Sequence, residues 1–128
     1  MPAETATHAP PLWRQLQQTA RLVQGMAEGR LLTAQLESVD PALRAGAQAL
    51  SFHALRWLGL ARALRRQLAP RAPAPALDAL LCTALSLLAP EEPLPYPAFT
   101  LVDQAVEAAK RDRALRAQAA FVNAGARR

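Results

Sequence analysis

An all-α fold is the prediction for this chain, and three features of its composition support it. Aromatic residues make up only 5% of the chain, and β-branched residues are also few. The periodic segments are rich in alanine, leucine, glutamine and arginine, which favour helices. With 128 residues, of which 52% are hydrophobic, the chain is long enough to form one domain with a buried core.

Proline, glycine and aspartate mark the ends of the helices. The first helix is predicted to start at Leu12 and to end where Gly25 and Gly29 interrupt the apolar periodicity. Asp40 can cap a helix whose first position is Pro41, and the proline-dense segment 70–75 cannot be helical. Six helices are predicted, at residues 12–27, 31–37, 41–68, 76–88, 99–111 and 115–127. Residues 1–11 are predicted to be a disordered tail, which leaves 12–128 as the domain.

The helix predicted over residues 41–68 has apolar side chains nearly all round its first half. Leu50 and Trp57 lie on one stripe, whereas Phe52 and Leu55 fall on the opposite side of the helical wheel. A helix that is apolar on all sides is normally buried, so this segment is predicted to be the long central helix of a bundle. The uniformly apolar run LLCTALSLL, in the helix at 76–88, is predicted to lie in the core as well.

Arginine-rich segments give the chain a formal net charge of +5, and Lys110 is its only lysine. Projection on a single helix places Arg44, Arg62 and Arg66 within about 40° of one another, as a positive ridge. Guanidinium groups bind phosphate through paired hydrogen bonds, so RNA contact is predicted, although a merely solvated surface is the alternative for any single arginine. The candidate RNA-binding residues in these segments are Arg44, Arg56, Arg62, Arg65, Arg66, Lys110, Arg111, Arg113 and Arg116. Because aromatic residues are scarce, contact is expected through the RNA backbone and shape.

No catalytic site is predicted in this chain. His53 stands alone on its helix, and a structural role is the better interpretation. Cys82 lies in an apolar helix without a cationic setting, so an inert thiol is expected. A single cysteine also excludes an internal disulfide, and the scattered glycines give no phosphate-binding loop. No signal peptide or membrane span is recognised, which predicts a cytoplasmic protein without a membrane partner.

The C-terminal stretch carries a family resemblance. Val102, Asp103, Ala105 and Val106 form a V-D-x-A-V motif, and residues 121–124 read F-V-N-A with Arg127 and Arg128 behind them. This arrangement resembles the end of the NusB-like RNA-binding domain, and the segment 47–68 resembles that family's central helix. The resemblance implies a NusB-like helical bundle over residues 12–128. It adds Asn123, Arg127 and Arg128 to the candidate RNA-binding residues.

Within that family, residues 29–36 and 100–110 are most similar to the N-terminal domain of small-subunit (16S) rRNA cytosine-C5 methyltransferases of the RsmB type. In those enzymes a later catalytic domain holds S-adenosylmethionine, so neither cofactor binding nor catalysis is expected here, whether the chain is a fragment or a stand-alone copy. The resemblance implies small-subunit rRNA as the partner, with a ribosomal protein as a second candidate and no DNA. Two alternatives remain: a NusB-type transcription antitermination factor, and a helical protein-interaction module that uses Leu94, Tyr96 and Phe99.

Overall fold

The computed structural model describes residues 10–88 and 96–119, and these two ranges contain helices and no strand. The predicted all-α class is therefore confirmed. The helices are α1 (Leu12–Ala27), α2 (Leu32–Leu36), α3 (Pro41–Arg56), α4 (Leu58–Leu68), α5 (Pro75–Leu87) and α6 (Ala98–Lys110), followed by a 3-10 turn at Arg116–Gln118. Most of the predicted tail, and the predicted last helix beyond residue 119, lie outside the described residues. None of the described helices has both the length and the apolar character needed to cross a membrane.

Helix α1 ends in a glycine cap, as its sequence predicts. Gly29 has a φ of 92°, a left-handed conformation that a residue with a side chain rarely adopts. This turn lets the backbone N–H of Arg30 donate to the carbonyl oxygen of Gly25 at 2.9 Å, while the N–H of Gly29 donates to Met26 at 3.0 Å. The pair of bonds forms a Schellman motif, which satisfies carbonyl groups that the helix end would otherwise leave unpaired.

Helix α3 begins where Asp40 and Pro41 predict. The Asp40 carboxylate accepts a hydrogen bond from the backbone N–H of Ala42 at 3.0 Å, and Pro41 occupies the first turn. The side chain of Asp40 also lies 3.4 Å from that of Arg14 on α1. Asp40 therefore fixes the start of α3 and ties it to the neighbouring helix.

The structure differs from the prediction of one long buried helix over residues 41–68. That segment forms two helices, α3 and α4, which are separated at Trp57, where φ is −109° and ψ is 13°. Helix α4 packs Leu58 and Ala61 against α5, and Phe52 and Leu55 lie exposed on the outside of α3. Helix α3 is therefore not fully buried although it has apolar residues on both sides, because the side with Phe52 and Leu55 faces solvent.

Helix α5 is the buried central helix of the structure. Ten of its thirteen residues are buried, and helices α1, α3, α4 and α6 pack around it. Leu80 shares one core cluster with Leu16 of α1 and Leu101 of α6, whereas Leu81 and Leu85 pack against α4. Burial of each leucine contributes about 1.5–3 kcal/mol to the free energy of unfolding, so α5 is the main source of the domain's stability.

Several polar groups of the core helices are satisfied locally or between helices, whereas the buried hydroxyls of Thr19 and Ser51 have no hydrogen-bond partner among the described residues. Thr83 donates to the carbonyl oxygen of Ala79 at 2.7 Å, and the Ser86 hydroxyl donates to that of Thr83 at 2.6 Å. Between α1 and α6, the Gln17 side chain donates to the carbonyl oxygen of Ala108 at 2.9 Å. These bonds remove most of the cost of placing hydroxyl and amide groups beside the core.

An ion pair joins α4 to α5 at the edge of the core. Arg65 Nε lies 2.9 Å from Asp78 Oδ1, and the Arg65 Nη1 donates to the carbonyl oxygen of Ala69 at 2.7 Å. The Arg65 side chain is only 9% exposed and the Asp78 side chain 31%. Because Arg65 cannot be hydrated where it lies, it depends on the Asp78 carboxylate for compensation.

Asp78→Asn should lower the free energy of unfolding by about 2–3 kcal/mol, because it leaves the buried Arg65 guanidinium without a counter-charge. Urea denaturation followed by circular dichroism measures the change. The control is Glu107→Gln, which breaks the exposed pair with Arg111 on α6 and should cost about 0.5 kcal/mol or less. Equal effects of the two substitutions would contradict a structural role for the Arg65 pair.

The Asp78 carboxylate also affects the pKa of Cys82, the only cysteine in the sequence. The pKa of the Cys82 thiol is raised from 9.0 to about 12, chiefly by burial and then by the negative charge of Asp78, to which the thiol donates a hydrogen bond at 3.6 Å. Cys82 is therefore a protonated thiol throughout the neutral range, in agreement with the inert role predicted from the sequence.

Stability should fall above pH 9 because of Cys82. The unfolded thiol loses its proton near its ordinary pKa of 9.0 while the folded thiol keeps it to about 12, so alkaline conditions favour the unfolded state. The free energy of unfolding of the wild type, minus that of Cys82→Ala, should fall by about 1.4 kcal/mol for each pH unit above 9. Denaturation of both proteins between pH 8 and 11 tests this. A difference that stays constant with pH would contradict it.

Candidate nucleic-acid interface

The outer face of α4 carries two arginines one helical turn apart. Leu58, Ala61 and Leu64 pack towards α5, and Arg62 and Arg66 are exposed beside this interface, with Arg62 at its edge close to Asp78 and Cys82. Neither arginine forms an ion pair with another residue in the two described ranges. Two adjacent guanidinium groups at helical spacing can contact successive phosphates of one strand.

Arg65 does not belong to this surface, although it is among the residues predicted from the sequence to bind RNA. It lies between the apolar positions of α4 and is held in the ion pair with Asp78. The signal that distinguishes it is positional: on a helix that starts at Leu58, residue 65 falls on the same side as Ala61.

The ridge predicted to combine Arg44 with Arg62 and Arg66 does not form on one helix. The break at Trp57 separates Arg44, on α3, from the two arginines of α4. The Arg44 Nη2 donates to the carbonyl oxygen of Val39 at 3.0 Å, so this side chain supports the turn before α3 while remaining exposed. Arg56, the last residue of α3, is exposed.

A second set of cations gathers at the C-terminal end of α6. The Arg116 Nε donates to the carbonyl oxygen of Lys110 at 3.2 Å, which brings the following turn back over the helix end. Asp112 accepts a hydrogen bond from the backbone N–H of Ala114 at 2.9 Å and so stabilises that turn. Cations are favourable here because the free carbonyl groups carry partial negative charge. Lys110, Arg113 and Arg116 are all exposed, as predicted.

Arg111 is held in place by two neighbours. Its Nε lies 2.6 Å from the Glu107 carboxylate, and its guanidinium carbon lies 4.5 Å from the centre of the Trp13 ring. A cation above an indole ring is attracted to its π-electrons. No sequence pattern predicts this contact, because Trp13 belongs to α1 and is distant from Arg111 along the chain. These two contacts therefore hold the Arg111 side chain in one orientation, and the Glu107 carboxylate partly neutralises its positive charge.

The carboxylates that form ion pairs contact arginines other than Arg62, Arg66 and Arg113. The four ion pairs in the described parts of the chain join Asp40 to Arg14, Glu28 to Arg30, Asp78 to Arg65 and Glu107 to Arg111. Among the exposed cations at the end of α6 only Arg111 is neutralised in this way, and Arg62, Arg66, Lys110 and Arg113 form no ion pair within the described ranges. The net positive charge is concentrated on the outer face of α4 and the end of α6.

The last three candidate RNA-binding residues, Asn123, Arg127 and Arg128, lie outside the described residues, as does the F-V-N-A motif. The His53 Nε2 lies 3.1 Å from the carbonyl oxygen of Ser86, a contact that fits the structural role predicted for it. Within residues 10–88 and 96–119, no three histidine, cysteine, aspartate or glutamate side chains come together in a group able to hold a metal ion.

Comparison with known proteins identifies no matching family model, no similar curated protein and no similar solved structure. The function must therefore be argued from the arrangement of residues in this chain and from the sequence resemblance described above.

Proposed function

We propose that this chain is an RNA-binding domain that docks structured RNA through two cationic surfaces. The first, the α4 surface, consists of Arg62 and Arg66. The second, the α6 surface, consists of Lys110, Arg111, Arg113 and Arg116. Contact is made with phosphate groups, so the domain recognises the RNA by its backbone and shape.

One observation carries this proposal: Arg62, Arg66, Lys110, Arg113 and Arg116 are exposed and form no ion pair within the described ranges, and only Arg111 is partly neutralised, by Glu107. Isolated surface arginines usually alternate with acidic residues, which cancel their field. Here the α4 surface lies in a stretch without any acidic residue between Asp40 and Asp78. Such a field attracts a polyanion over distances of about 10 Å at ordinary salt.

The resemblance to NusB-like domains favours RNA as that polyanion. It further supports small-subunit rRNA as the target, with this chain acting as the docking domain of an rRNA cytosine-C5 methyltransferase. In that arrangement the chemistry and the S-adenosylmethionine belong to a separate catalytic domain. A transcript of small-subunit rRNA should then compete for binding better than an unrelated transcript of equal length, whereas tight binding of a short leader RNA together with a ribosomal protein would support an antitermination factor.

Replacing Arg62 and Arg66 with glutamate should weaken RNA binding regardless of base sequence. About four phosphate contacts on a single strand give a slope of log K against log salt near −3, at about −0.7 for each phosphate. Loss of two contacts should flatten the slope by about 1.4, while the melting temperature hardly changes because both side chains are exposed. Fluorescence anisotropy with oligouridylate and oligoadenylate at several salt concentrations measures both quantities.

The matched control is the double variant Arg14→Glu and Arg30→Glu, which changes the net charge by the same amount. Both of these arginines are exposed but already paired with carboxylates, so this variant should retain most of its affinity for the same oligonucleotides. An equal loss of RNA affinity in the two double variants would show that the effect depends on net charge alone. RNA affinity unchanged by Arg62→Glu and Arg66→Glu would remove the α4 surface from the proposal and favour a protein-interaction module, for which the exposed Phe99 is a candidate contact.

A further inference from the structure

A cavity of about 270 Å³ lies between the C-terminal half of α1 and helices α4 and α5. Each of the three helices contributes to its apolar walls, with Val23 and Ala27 from α1, Leu58 from α4 and Ala79 from α5. The volume is just below the range typical of small-ligand sites, which begins at about 300 Å³. The cavity is therefore large enough for one ring-sized group.

The opening of this cavity lies at the α4 surface. Of the residues that line it, Ala27 and Arg62 are exposed, whereas Ala79 and Cys82 are buried, so the cavity opens on the side of Arg62. Arg62 forms no ion pair within the described ranges, and Arg66 lies one helical turn further along α4. An RNA strand whose phosphates contact these two arginines therefore passes the opening.

The polar groups of the cavity, apart from the guanidinium, are hydrogen-bond acceptors. The Asp78 carboxylate is 31% exposed, and its contacts with Arg65 and with the Cys82 thiol both use Oδ1, which leaves Oδ2 for a ligand. The Gln24 Nε2 donates to the Glu28 carboxylate at 3.2 Å. This bond orients the Gln24 amide, and its Oε1 remains as a second acceptor.

Acceptors beside an available guanidinium select a ligand that donates hydrogen bonds and carries an anion. A nucleotide whose base has an amino group meets both requirements, because cytosine N4 and adenine N6 are donors. Uracil has a carbonyl oxygen where cytosine has its amino group, and a carboxylate repels that oxygen. An apolar side chain of a protein partner would match the walls, but it would leave Asp78 and Gln24 without donors.

We propose that this cavity, the base pocket, holds one unstacked amino-bearing base of a bound RNA strand, with Asp78 and Gln24 accepting from the base and Arg62 at its phosphate. The proposal rests on the RNA binding inferred above and adds a base preference to it. Aliphatic side chains, among them Val23 and Leu58, pack against the flat base. Because a paired base cannot enter, the base pocket directs the domain towards single-stranded or looped segments of structured RNA.

The test compares oligocytidylate with oligouridylate, each of about ten nucleotides, because the two carry the same number of phosphates. The wild type should bind oligocytidylate about tenfold more tightly. Ala27→Trp, which fills the opening of the base pocket, should lower the affinity for oligocytidylate to that for oligouridylate. It should leave the affinity for oligouridylate and the salt dependence unchanged, because the phosphate contacts remain. The matched control is Ala45→Trp, at an exposed position of α3, which should change neither affinity.

Failure of the base pocket is distinguishable from failure of RNA binding. If neither probe binds the wild type at low salt, the proposed function and the base pocket are overturned together. Equal affinity of the wild type for the two probes, or a preference for oligocytidylate that Ala27→Trp leaves intact, would overturn the base pocket alone.

A second variant decides the matter if Ala27→Trp lowers the melting temperature. Gln24→Leu removes one acceptor from the base pocket without adding bulk, and Gln24 makes only an exposed hydrogen bond to Glu28. This variant should reduce the preference for oligocytidylate about threefold and leave the affinity for oligouridylate unchanged. An unchanged preference would overturn the base pocket.

Discussion

The need to bury α5 on every side governs this fold. Its sequence offers almost no polar surface, so solvent exposure of any face would forfeit the largest favourable contribution that the domain has. Four helices therefore pack around it, and two of them, α3 and α4, meet at Trp57. Helix α4 places Leu58 and Ala61 against α5, and Phe52 of α3 stays on the surface.

The same packing determines where the charge lies. Where α4 packs against α5, Arg65 is buried and the Asp78 carboxylate pairs with it and not with the nearby Arg62. Arg62 and Arg66 face outwards because their neighbours on the helix face the core. The cationic character of α4 thus follows from the ion pair beneath it as well as from composition. The burial of Arg65 and the exposure of Arg62 and Arg66 both depend on the short interface between α4 and α5.

Local rules predicted the helix ends accurately, and long-range packing accounts for what was missed. Gly29, Asp40 and Pro41 mark boundaries through their own backbone chemistry, which needs no knowledge of the fold. The break at Trp57 has no proline or glycine at that position, and it becomes necessary only once α5 occupies the centre. The burial of Arg65 and the contact between Arg111 and Trp13 likewise depend on which helices are neighbours. Exposure of Arg62, Arg66, Lys110 and Arg113 was predicted because charged side chains without apolar neighbours in helical register normally face solvent.

The central claim is that RNA phosphates contact the arginines whose charge the protein leaves unpaired. Nuclear magnetic resonance of the arginine Nε–Hε groups tests this most directly, because each side chain gives its own signal during a titration with oligouridylate. The account predicts that the signals of Arg62, Arg66 and Arg113 move in a saturable way, while those of the paired Arg14 and Arg30 and of the buried Arg65 stay in place. Movement of the paired arginines alone, or of all exposed arginines equally, would contradict it.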